Sequence, residues 1–175
     1  MRLFAIGDLH LSGNPPKKPM EVFGPRWINH WQRIREDWLS RVHEDDVVLI
    51  AGDTSWAMHL KEAQEDLDEI RKLPGTKYII RGNHDYWWES AGKLNRLDEG
   101  KGMHYLYGST VTLDEGRIAV CGTHGWVCPG DIHYHEEKDA KPYRRELLRV
   151  ERCLQEAAAL NCQHTILLLH YPPVC

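Results

Sequence analysis

No run of apolar residues in this chain approaches the roughly 20 that a membrane-spanning helix needs. Its opening, Met1 to Asp8, is an apolar stretch too short and too soon polar for a signal peptide. An excess of positive charge is also lacking. The formal net charge is −4, which excludes the electrostatic footprint of a nucleic-acid binder, so that a polyanionic substrate would be met by metal ions or a local Arg and Lys cluster. The five cysteines (Cys121, Cys128, Cys153, Cys162 and Cys175) form no CxxC pair and are odd in number. That pattern points to free thiols in a reducing compartment, and with no leader or membrane span the chain reads as cytoplasmic. Internal repeats, low-complexity tracts and linkers are missing too, so residues 1–175 read as one domain with ordinary globular composition.

Histidine, by contrast, is plentiful. There are eleven, several beside acidic residues. The chain is organised around Tyr78-Ile79-Ile80-Arg81-Gly82-Asn83-His84-Asp85, a strand over residues 78–81 running into Gly-Asn-His-Asp. Gly82 lets the backbone turn sharply there, and the amide, imidazole and carboxylate can converge at the strand's carboxyl end, where open α/β sheets bind ligands. The plain alternative is that Asn83 or Asp85 caps a helix starting near Tyr86.

Three other strands end in the same way. Residues 3–6 deliver Asp8 and His10, spaced two apart so that both side chains face one way in extended backbone. An oxygen and a nitrogen donor so placed suit Mn, Fe, Ni or Zn better than Mg or Ca. The apolar run 47–51 reads as a strand covered on both faces and ends in Gly52-Asp53, with Asp53 either a ligand or a helix cap. Residues 165–169 read as a buried strand ending on His170.

Between these strands the patterning predicts helices and loops. Trp27, Trp31, Ile34, Trp38 and Val42 recur at helical spacing and read as core, after a Pro-rich loop over residues 12–25 whose Lys17 and Lys18 read as solvated surface. Ala57, Leu60, Leu67 and Ile70 mark one helix face, and Glu62, Glu65, Asp66, Asp68 and Glu69 a solvated one. Trp87 and Trp88 read as packing residues ahead of a helix marked by Ala91, Leu94 and Leu97. Residues 104–107, 109–113 and 117–122 alternate as strands of a second, more antiparallel sheet, with Asp114-Glu115-Gly116 as a hairpin turn. Residues 123–142, with His124, His133 and His135, read as a loop. A helix over 143–160 follows, burying Leu147, Val150, Leu154 and Ala157 beside a solvated basic flank of Arg144, Arg145 and Arg149.

The series Asp8-Leu9-His10, Gly52-Asp53, Gly82-Asn83-His84-Asp85 and His170, spread over almost the whole chain, resembles the calcineurin-like metallophosphoesterase family. Met20 to Gly24, Ser55 to Met58 and Arg81 to Trp88 resemble a bacterial branch known only as predicted phosphohydrolases. The resemblance implies an α/β fold, a four-layer α-β-β-α sandwich with two mixed sheets. It implies two divalent metal ions, manganese first, with iron, nickel or zinc as alternatives. Asp8 and His10 would hold the first, Asp53 would bridge both, and Asn83 and His170 would hold the second. His84 would protonate the leaving oxygen while a water activated between the metals attacks phosphorus in line.

Two departures stand beside the resemblance. Thr54-Ser55-Trp56 replaces the Asp and Arg of the G-D-x-V-D-R-G motif of phosphoprotein phosphatases, which leaves His84 without the usual orienting partner. The G-H-x-H motif expected beyond His170 is absent, so the C-terminal strands of the sandwich are expected to be missing. The expected function is hydrolysis of a phosphate monoester or diester in a small phosphorylated substrate. The alternatives are a non-catalytic metal-binding scaffold of the same fold and a metal-dependent nuclease. Self-association through an exposed apolar strand edge is a further expectation.

Overall fold

A computed structural model describes residues 1–173, and the chain divides into two compact units that meet between Tyr105 and Leu106. The expected thiol at Cys175 lies outside the described residues, while Cys121, Cys153 and Cys162 are free thiols. Among the described residues no helix is long and apolar enough to cross a membrane.

The first unit holds a four-stranded sheet in sequence order: β1 (Leu3–Ile6), β2 (Val47–Ile50), β3 (Thr76–Ile80) and β4 (Met103–Leu106). β1 and β3 pair with β2 in parallel, with Phe4 opposite Val48 and Leu49 opposite Tyr78. All four residues of β2 are buried, as its unbroken apolar run demands. The crossovers carry α1 (His30–Arg41) and α2 (Leu60–Arg71), and α3 (Ala91–Leu97) precedes β4. α2 buries Ala63, Leu67 and Ile70. Its first turn is set by Glu62, whose Oε2 accepts the N–H groups of Met58 at 3.1 Å and His59 at 3.3 Å. Asp53 therefore caps no helix.

Three expectations are corrected in this unit. Asp66 does not belong to a solvated face: it is buried and accepts the Ser55 hydroxyl and, at 2.7 Å, the Gly13 N–H. The aromatic stripe before and along α1 is buried only at its end, at Trp38 and Val42, while Trp27, Trp31 and Ile34 stay half-buried. The strand expected at 104–107 joins the first sheet, not the second. Asn95 exchanges two 2.9 Å hydrogen bonds with the backbone of Tyr105, and His104 stacks on Tyr78 of β3, so local side chains decide its sheet.

The second unit holds a mixed sheet of β5 (Ser109–Leu113), β6 (Ile118–Thr123) and β7 (His164–Leu169), with β5–β6 antiparallel and β6–β7 parallel. The hairpin turn is as expected, with Asp114 and Glu115 both in left-handed backbone. α4 (Glu136–Ala159) starts seven residues ahead of the expected helix and takes Pro142 into its second turn, at the loss of one backbone hydrogen bond. Its inward face is Glu146, Cys153 and Ala157, whereas Leu147 and Leu154 are 43% and 41% exposed. The expected apolar face is thus shifted by one residue at two positions, because a glutamate occupies the inward place. β7 is also less covered than expected, with only Leu168 buried.

Candidate metal centre

Because β1 and β2 are parallel neighbours, the segments leaving their carboxyl ends run side by side. The N–H groups of Asp8, His10 and Leu11 donate to the carbonyls of Gly52, Asp53 and Thr54 at 3.1, 2.9 and 3.0 Å. The segment after β3 presses against the second of these. A Cβ built on Gly82 would lie 2.2 Å from the Asp53 nitrogen, and one on Gly52 would lie 2.5 Å from the Gly82 nitrogen. The backbone at Gly82 is not left-handed, so what requires glycine here is the close approach of the two segments.

Asp85 locks the segments together. Its Oδ2 accepts the N–H groups of Gly82 at 2.7 Å and Asp53 at 2.9 Å. Its Oδ1 accepts those of Thr54 at 2.8 Å and Ser55 at 3.2 Å, and the Trp87 indole at 2.9 Å. The side chain is fully buried, and burial pushes its carboxyl above the ordinary value while the backbone donors pull against it. Asp85 therefore neither faces a ligand nor caps a helix, since α3 begins at Ala91 behind the Ser90 cap. The two tryptophans are buried as expected.

On this frame Asp8, His10 and Asp53 each bring a donor atom to one place, all within 4.8 Å of one another. His10 Nε2 lies 3.5 Å from an Asp8 oxygen and 3.7 Å from Asp53 Oδ2. The other Asp53 oxygen accepts the His84 N–H at 2.8 Å, which fixes the carboxylate plane. All three residues have left-handed backbone, with φ of 56°, 48° and 52°. Three non-glycine residues in that region, side by side, are local strain of the kind that collects at functional sites. Two carboxylates and an imidazole nitrogen are donors suited to a divalent transition metal.

The remaining site residues fall in two groups. Asn83 and His84 are half-buried in the segment after β3, and the His84 ring lies 5.8 Å from that of His10 and 4.5 Å from that of Trp56. His170 belongs to the second unit, half-buried just past β7. There it stacks at 5.8 Å on His124, which follows β6 and whose carbonyl accepts the His170 N–H at 3.2 Å. His124 is absent from the expected site set because the strand before it reads as ending at Gly122, whereas β6 runs to Thr123. His133 and His135 are exposed.

A cavity of about 390 Å³ opens beside His10, with Lys18, Met20, Trp27 and His30 in its lining. A larger one of about 610 Å³ runs along α1, but none of the donor residues lines it.

The family model for calcineurin-like phosphoesterases matches residues 1–174. No curated protein matches the chain. Among solved structures, a protein of unknown function, AQ665 from Aquifex aeolicus, is similar with a TM-score of 0.46 at 17% identity, over 99% of this chain and 82% of that one. A likeness of that degree supports no inference.

Proposed function

Since the chain belongs to the calcineurin-like phosphoesterase family, we propose that it hydrolyses a phosphate ester in a metal-dependent reaction, with a small phosphorylated molecule as substrate. The observation that carries this reading is the convergence of Asp8, His10 and Asp53 at the carboxyl ends of adjacent parallel strands. These three would hold a divalent cation. Bound cations supply Lewis acidity, neutralising phosphoryl oxygens and lowering the pKa of water.

The chain's own groups do the rest. Asp53 presents Oδ2 toward His10 because its Oδ1 is engaged by the His84 N–H. That same bond fixes the backbone from which the His84 ring projects, and His84 is the group assigned to hold and deliver the proton needed by the leaving oxygen. The cavity beside His10 is large enough for a small phosphorylated metabolite and has Lys18 in its wall.

The test is a panel of phosphomonoesters and phosphodiesters, each assayed with Mn, Ni, Zn and Mg after chelator treatment. Metal-dependent turnover is expected. Substitution of His84 by Ala should lower kcat by about 10²–10⁴-fold with metal content retained. Bound metal without turnover on any ester would overturn the reading in favour of a scaffold.

A further inference from the structure

A histidine that binds a metal through one ring nitrogen is normally held by a hydrogen bond through the other. His10 departs from this. Its Nε2 faces the two carboxylates, while its Nδ1 is buried and has no hydrogen-bond partner among the described residues. Its orientation must therefore come from packing. The ring that supplies it is Trp56, which stacks on the His10 imidazole with centroids 4.8 Å apart and planes 21° from parallel. Trp27 adds only an edge contact at 6.1 Å.

The same indole also lies 4.5 Å from the His84 ring, tilted by 49°. One side chain thus touches both imidazoles of the candidate centre. Trp56 is itself well fixed. Its backbone N–H donates to the Leu11 carbonyl at 2.8 Å, so it sits on the paired segments that follow β1 and β2. Its Nε1 points at the Met20 sulfur at 3.3 Å, and the Lys18 ammonium lies 5.2 Å over the ring. The loop after His10 therefore folds back and grips the indole from residues 18 and 20.

We propose that Trp56 is a positioning residue that sets the ring orientation of both His10 and His84, standing in at His10 for the hydrogen bond that its Nδ1 lacks. The proposal rests on the phosphoesterase reading only for its kinetic consequence; its structural content concerns two imidazoles and one indole. Trp56→Phe keeps an aromatic face at this position and loses the contact to Met20, whereas Trp56→Leu keeps apolar bulk and loses the face.

The experiment compares wild type, Trp56→Phe and Trp56→Leu by three measurements, with circular dichroism and thermal unfolding to confirm that each is folded. First, imidazole signals are recorded by NMR on metal-free protein and assigned with His10→Gln and His84→Gln. Ring currents from the indole should shift both histidines, and Trp56→Leu should move those two signals while the other nine stay in place. Second, the Kd for Mn²⁺ should rise about 10-fold or more in Trp56→Leu and stay within about 3-fold of wild type in Trp56→Phe. Third, on an aryl phosphate, kcat should fall in Trp56→Leu with KM nearly unchanged, because ring placement and not substrate contact is lost.

Unmoved His10 and His84 signals in folded Trp56→Leu would overturn the proposal, as would damage in Trp56→Phe equal to that in Trp56→Leu. If wild type turns over no ester, the phosphoesterase reading falls, and the metal-free spectra and Mn²⁺ affinities still decide the role of Trp56.

Discussion

Each unit has a buried carboxylate anchored at its strand ends, Asp85 in the first and Glu146 in the second, and the two are kept by different means. Asp85 in the first unit is surrounded by donors that carry no formal charge: four backbone N–H groups and an indole. Glu146 in the second unit reaches in from α4. It accepts the Thr123 hydroxyl at 2.7 Å and the Gly125 N–H at 3.1 Å, and it pairs with Arg149, which also lies over Tyr107. Arg149 is therefore part of this clamp and not a solvated flank. Backbone donors cannot move away when the carboxylate changes, but a half-exposed arginine can turn to water. Rigidity should thus be concentrated around Asp85, where the candidate ligands are, and the helix-borne clamp should be the more forgiving.

The sharpest way to break this comparison is Asp85→Asn. The amide would turn an NH₂ toward at least two buried N–H donors, each left unsatisfied at about 1–3 kcal/mol. Unfolding free energy should fall by roughly 3–5 kcal/mol, and Mn²⁺ binding should be lost with it. A variant with near wild-type stability would show that the five donors do not hold the centre together.

Next comes the donor set itself. Asp53 is buried and held by the His84 N–H, whereas the Asp8 carboxylate is more than half exposed. Metal analysis should show a larger loss for Asp53→Asn than for Asp8→Asn. Equal small losses would show that Asp53 is no more central to the donor set than Asp8.

Glu146→Gln should cost less than Asp85→Asn, about 1–2 kcal/mol, because the amide oxygen can still accept from Thr123 and Arg149 can swing out. Denaturant titration of both variants reads the difference directly. A larger loss for Glu146→Gln would reverse the ranking of the two clamps.

An effect of the opposite sign concerns a buried ammonium. Lys77 in β3 is buried, its ammonium donates to the Leu73 carbonyl, and burial pushes its pKa down to about 8. Between about pH 8 and its ordinary value of 10.5 the unfolded chain holds the extra proton, so stability should rise with pH across that window. Lys77→Met should be more stable than wild type at pH 7, by roughly 1–3 kcal/mol, and should lack this rise. Parallel pH curves for the two proteins would rule the assignment out.

The candidate ligands of the first unit are legible because they follow apolar runs that read as strands, and parallel pairing then brings successive strand ends together. Asp8, His10 and Asp53 need no more than that. What holds them is less visible. Asp85 carries no periodic signal, since its partners are backbone groups whose approach depends on Gly52 and Gly82 fitting against each other. Trp56 lies in a stretch that carries part of the resemblance, but its role shows only once the loop at residues 18–20 folds back upon it. In the second unit the pattern of leucines on α4 misleads by one position, because Glu146 takes an inward place that hydropathy assigns to a neighbour.

The left-handed backbone at Asp8, His10 and Asp53 has one more consequence, for how this protein would change under directed evolution. Glycine, and to a lesser degree asparagine, occupies that conformation at lower cost than histidine or aspartate. A population selected for heat resistance alone should therefore drift toward Gly or Asn first at position 8, whose carboxylate is more than half exposed. The variants that survive the highest temperature would be ones that have lost a member of the donor set.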